Sequence, residues 1–211
     1  MWAEKVYVAI HDVNCLHRII RVSDGVVGGW IEHERNLSHD GKAWVSDNAK
    51  VYGDAEVYGD AEVGDGAEVY GNAKVYGDAE VYGNAKVYGD AKVCGDAEVY
   101  GNAQVYDKAM IRDDAWIYED AKVYGDAQVY GVAKVCDNAQ VYGKAMIRDD
   151  VWIYEDAQVC GDAQVYGNAQ VYGNAKVCGN ANVCGNAQVY GKAMIHNYTW
   201  ICGDAQVCGD A

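Results

Sequence analysis

The sequence predicts an all-β solenoid, and three observations predict it. Val or Ile recurs at every sixth position from Val45 to Val207, 28 times without insertion or deletion. A fixed short period over about 170 residues is the signature of a chain that stacks identical units on one another. Ala stands two places before each aliphatic residue, with only Val151 and Thr199 departing from it. Residues two apart share a face of an extended chain, so Ala and Val of Ala-x-Val-Tyr lie on one side and x and Tyr on the other. Each four-residue strand then meets Gly-Asp or Gly-Asn, residues that accept the positive φ of a tight corner. Four strand residues and two corner residues leave no room for a hairpin or a helix. The chain must coil, with Val and Ala inside.

The N-terminal segment, residues 1–42, breaks this period and is expected to form a small β cap over the first coil, leaving 43–211 as the solenoid domain. Lys5–Ile10 and Leu16–Val22 read as strands separated by a polar turn around Asp12–Asn14. Gly28-Gly29-Trp30-Ile31-Glu32, Asn36-Leu37-Ser38 and Gly41 then lead to Trp44-Val45. With Leu16, Arg18 and Ile19, this pattern resembles the N-terminal cap of a group of uncharacterised bacterial and phage-encoded hexapeptide-repeat proteins. That resemblance implies a cap and no particular reaction. His11, His17, His33 and His39 have no standard metal-ligand spacing.

From Ala43 onward the pairs Val51–Ala55 and Val57–Ala61, and their successors, set an aliphatic residue four places before a small one. The period itself leaves the number of corners per turn open. The pattern resembles the hexapeptide-repeat, left-handed parallel β-helix family, and the likeness covers about 80% of the chain. It implies a triangular solenoid with about 18 residues per coil, hence about nine coils from the repeats. The blocks beginning Met110-Ile111-Arg112 and Met146-Ile147-Arg148 are offset by two such coils, which puts Trp44, Trp116 and Trp152 on one face. Met194–Ile201 is offset differently and moves to another face.

With that coil length the outward positions form columns. Tyr52, Tyr70, Tyr88, Tyr106, Tyr124 and Tyr142 make an unbroken column on one face, expected to stiffen the rod and to offer an interaction surface. Tyr82, Tyr100 and Tyr118 line a second face, followed by Tyr154, Tyr172 and Tyr190. Seven of the eight Cys replace Tyr at this outward position, which reads as drift at a tolerant site, with the thiols reduced. Cys160/Cys178 and Cys184/Cys202 would each lie one coil apart, within disulfide range but with parallel side chains poorly suited to the bond torsion.

Composition bounds function. The net charge is −15, and residues 43–211 hold 12 Lys/Arg against 26 Asp/Glu. Such a surface repels phosphate-rich partners, so nucleic-acid binding is not expected. No apolar run approaches 18 residues and the first residues make no signal peptide; a cytoplasmic protein with no membrane contact is the expectation. Relatives of the resembled fold include acyltransferases and γ-type carbonic anhydrases, which resemblance would place in trimers. Here no loop interrupts the repeats and His196 is their lone His. Arg112 and Arg148 are expected to pair with nearby carboxylates on the surface. No catalytic residue, cofactor or metal site is therefore expected. The sequence favours a non-enzymatic scaffold or self-assembling unit, joined face to face or through a C-terminal end that the repeat leaves uncapped. A trimeric transferase-like enzyme is the first alternative. A module binding carbohydrate or another surface through the Tyr columns is the second.

Overall fold

The computed structural model describes residues 7–13 and 15–209. Three sheets run the length of a solenoid, one per side of the coil, with twelve, ten and ten strands, all pairing in parallel except at the N-terminal edge of the twelve. Face one carries Val51, Val69 and each eighteenth residue after them. Face two carries Val57 and Val75, and face three Val45 and Val63. Strands pair in strict register with the strand 18 residues away, as Val75 does with Val57 and Val93. The backbone hydrogen bonds run between coils: the Glu80 N–H donates to the Ala97 carbonyl at 2.9 Å, and the Tyr82 N–H to the Val99 carbonyl at 2.9 Å. Each coil thus satisfies the polar backbone of the next, which an irregular chain of this shape could not do.

Inside, alternation does what the pattern demands. Every repeat Val, Ile and Ala from Val45 to Val189 is essentially fully buried. Corners sit where Gly was expected, and the left-handed conformation is taken by Gly or by Asp, Glu and Asn, including Asp107, Glu119, Asp137 and Glu155. Gly83 illustrates why Gly prevails: at φ +69° a Cβ there would lie 2.8 Å from the Gly101 carbonyl oxygen in the next coil.

The N-terminal segment holds more of the solenoid than its sequence suggests. Strands β1 (Tyr7–Val13) and β2 (Leu16–Arg21) form an antiparallel hairpin. The hairpin turn falls after Val13, slightly later than the sequence indicates, and Lys5 and Val6 lie outside the described residues. Strand β3 (Val27–Ile31) pairs antiparallel with β2 on one side and parallel with Lys50–Val51 on the other. Strands β4 (Leu37–Gly41) and β5 (Trp44–Val45) likewise start the other two sheets. These three strands close a coil that the period does not reveal, so there are ten coils where the repeat count indicates about nine.

Specific side chains fasten this first coil. Asn36, fully buried, donates to the carbonyls of Gly53 at 3.0 Å and Ala55 at 2.8 Å, while its own Oδ1 accepts the His33 N–H at 2.7 Å. A buried amide with its bonds made holds one register; an apolar replacement would leave those carbonyls unpaired. The Glu32 carboxylate accepts the Gly53 N–H at 2.7 Å. Gly29 is required because a Cβ would meet the Ala49 carbonyl oxygen at 2.7 Å. The hairpin covers the end of the core with Ile19 and Tyr7, both buried, and the Tyr7 hydroxyl shares its one proton between the carbonyls of Glu34 and Leu37 at 2.8 and 2.7 Å.

Candidate interaction surfaces

On face one, register converts sequence spacing into a ring stack. Tyr52, Tyr70, Tyr88, Tyr106, Tyr124 and Tyr142 follow one another with centroids 4.9–5.0 Å apart and planes within 5° of parallel. The spacing is the strand separation of the sheet beneath them. Each ring covers the next, so all six are half-buried although they point outward. Each pair adds about 0.5–1.5 kcal/mol beyond the area it covers. Beside this strip, Glu68 lies between Lys50 and Lys86, 3.3 Å from each. On the corner side, the Asn72 amide donates to Asp90 at 2.8 Å.

The stack alters the phenols. Burial, helped by the charge of Glu68 and by the neighbouring Tyr70, pushes the Tyr52 hydroxyl up to about 12. Tyr106 is likewise pushed up to about 12 by burial and by its neighbours Tyr124 and Tyr88. The folded chain prefers these rings neutral. Their contribution is therefore complete below the ordinary phenol value near 10 and is lost as the pH rises toward 12. An ultraviolet titration should show tyrosinate absorbance from these rings lagging that of the unfolded chain. Its coincidence with the unfolded curve would contradict the stacked geometry.

The other two faces carry ladders of mixed composition. Face three stacks Tyr100 on Tyr118 at 5.1 Å, and Tyr154, Tyr172 and Tyr190 in series at 4.8 and 5.1 Å. Face two stacks Tyr58 on Tyr76 at 4.9 Å, a pair the sequence reading passed over. Further along face two the Arg112 guanidinium lies 4.1 Å from the Tyr130 ring centroid, and that of Arg148 lies 4.4 Å from Tyr166. Arg112 also reaches Asp113 at 3.7 Å. For both arginines the ring is the shared partner, because their position is a rung in an aromatic ladder. Trp44, Trp116 and Trp152 do share face three, and Trp200 sits on face two. The Lys134 ammonium lies between Trp116 and Trp152, 4.9 and 4.5 Å from their rings, an arrangement the sequence reading missed.

The expectation that the paired cysteines are reduced is overturned. Cys160 is bonded to Cys178 on face one and Cys184 to Cys202 on face two, with Cα separations of 4.6 and 4.5 Å. Parallel strands in exact register bring outward positions one coil apart within bridging range, and the side chains turn enough to join. Cys94 and Cys136 are buried free thiols, and Cys15 and Cys208 are exposed ones. His196 continues the face-one column beyond the first disulfide and is exposed. No helix among the described residues is long and apolar enough to cross a membrane.

Two overlapping stretches, residues 157–173 and 163–179, match the family model of the YdcK beta solenoid repeat. Among curated proteins none matches the chain. The matched stretch lies in the regular coils that hold Tyr166, Tyr172 and the first disulfide. Over those coils the chain is similar to that repeat, and its described residues as a whole form a parallel β-solenoid.

Proposed function

We infer that this protein is a rigid solenoid scaffold that associates with copies of itself through the tyrosine strip of face one, and that it performs no reaction of its own. The strip from Tyr52 to Tyr142 carries this reading. It is flat, continuous and held by the sheet below, so little side-chain freedom is lost when a partner covers it. Six rings at the strand spacing extend over about 24 Å. Such a surface suits a two-fold contact in which the same patch serves both copies.

Sedimentation velocity over a wide concentration range tests the reading. The native chain should shift toward a dimer or larger species. A variant with Tyr70→Ser, Tyr88→Ser and Tyr106→Ser should remain monomeric, with the Val and Ala core intact by circular dichroism. Equal association by both chains would overturn the inference, as would a native chain that stays monomeric throughout.

A further inference from the structure

Face three interrupts its aromatic ladder once. Between the pair Tyr100–Tyr118 and the series Tyr154–Tyr172–Tyr190, the outward rung belongs to Cys136. The backbone does not bend there. Lys134 and Val135 stay in register with Trp152 and Ile153, and the Cys136 N–H donates to the Ile153 carbonyl at 3.0 Å. Tyr118 and Tyr154 therefore stand two ladder steps apart, about 10 Å, with a sulfur where a ring would be. An open groove of about 450 Å³ lies over this rung. Tyr118 and Tyr154 line it, Cys136 lies buried in its lining, and Trp152 and Gln170 belong to it together with the corner carboxylates Glu119 and Asp137.

The chain itself supplies an example of what fits such a rung. At the equivalent outward positions of face two, the guanidinium groups of Arg112 and Arg148 lie over the rings of Tyr130 and Tyr166. A guanidinium is planar, weakly hydrated and at ease on an aromatic face. The charge at the slot favours the same group. Glu119, Asp137 and Glu155 follow one another along the corner, Glu119 accepting the Asp137 N–H at 3.0 Å and Asp137 the Glu155 N–H at 2.9 Å. Contact with Asp137, then burial, then the Asp137 charge raise the Glu119 carboxyl, so a cation placed there relieves crowded negative charge. Lys134 is the nearby positive group, and the two Trp rings already hold it. Burial raises the Cys136 thiol, while its hydrogen bond with the Tyr118 hydroxyl pulls the other way.

We propose that the gap between Tyr118 and Tyr154 is a binding slot for an arginine side chain of a partner protein, its guanidinium taking the missing rung and its charge meeting Glu119 and Asp137. This site lies on a different face from the tyrosine strip and does not depend on self-association. The test is a titration of the full chain with N-acetyl-arginine amide, followed through Trp fluorescence and the Tyr ring resonances. Saturable binding is expected, with N-acetyl-lysine amide and N-acetyl-phenylalanine amide each at least tenfold weaker. Cys136→Tyr restores the ring and should abolish binding while the thermal midpoint is kept or raised. Glu119→Gln, which leaves the ladder as it is, should weaken binding severalfold. Absence of saturable arginine binding would overturn the proposal, and so would equal binding of the phenylalanine compound. Undiminished binding by Cys136→Tyr, or by Glu119→Gln should the first variant not fold, would overturn it equally.

Discussion

Replacing Ile117 with Ala is expected to lower the stability of the fold by about 2–5 kcal/mol, the range for a buried Ile cut back to Ala. Ile117 is fully buried and stands in register between Val99 and Val135. The adjoining backbone is tied by hydrogen bonds to the coil on either side, as in Tyr100 N–H to the Ile117 carbonyl at 3.0 Å. The coils cannot slide together to fill the space, because strand spacing is set by those bonds. Ile117→Val should cost about 0.5–1.5 kcal/mol and give a nearly normal fold. Chemical denaturation of the three chains measures both values. An Ile117→Ala cost well under 1 kcal/mol would mean that the interior is not close-packed.

The second large effect concerns the disulfides. Cys160–Cys178 and Cys184–Cys202 each span 18 residues and occupy different faces, so together they staple three successive coils. In the chain-entropy account, closing a loop of this size stabilises by about 3 kcal/mol per bond. Dithiothreitol reduces each bond to two thiols and is itself oxidised to its cyclic disulfide. Hydrogen exchange should then accelerate roughly 100-fold at amides from residue 158 to 209, with little change near Val105 or Val123. A solenoid's units contact only their neighbours, which is why the loss stays local. Uniform exchange before and after reduction would show that the bonds carry no stability.

The sequence displays the architecture because the solenoid is built from one local rule. Alternation of Ala, x, Val and Tyr dictates which side chains enter the core, and Gly-Asp dictates the corner. Neither rule needs a distant contact. The tenth coil was harder to see, since β3 to β5 obey the geometry without the motif: Gly28, Gly29 and Asn36 replace the repeat residues there. Asn36 in particular reads as a polar loop residue until its two carbonyl partners in the next coil are known.

The surface was legible only in part. The face-one column follows at once from a period of 18. Along the chain Cys and Tyr look like interchangeable fillers at one position. Down the columns each has its own neighbours: Cys178 lies beside Cys160, whereas Cys136 lies between Tyr118 and Tyr154. The same residue type thus makes a bond in one column and a gap in another. Lys134 carries no signal along the chain for a similar reason, since only the register with Trp116 and Trp152 gives it aromatic partners.

Face one, and not the solenoid surface in general, is the surface expected to meet other copies of the chain. Tyrosine nitration read residue by residue by mass spectrometry at low and high protein concentration distinguishes the faces. Tyr70, Tyr88 and Tyr106 should lose reactivity several-fold as the concentration rises, while Tyr172 and Tyr190 on face three keep theirs. Reactivity that is independent of concentration on face one, or that falls equally on both faces, would contradict the account.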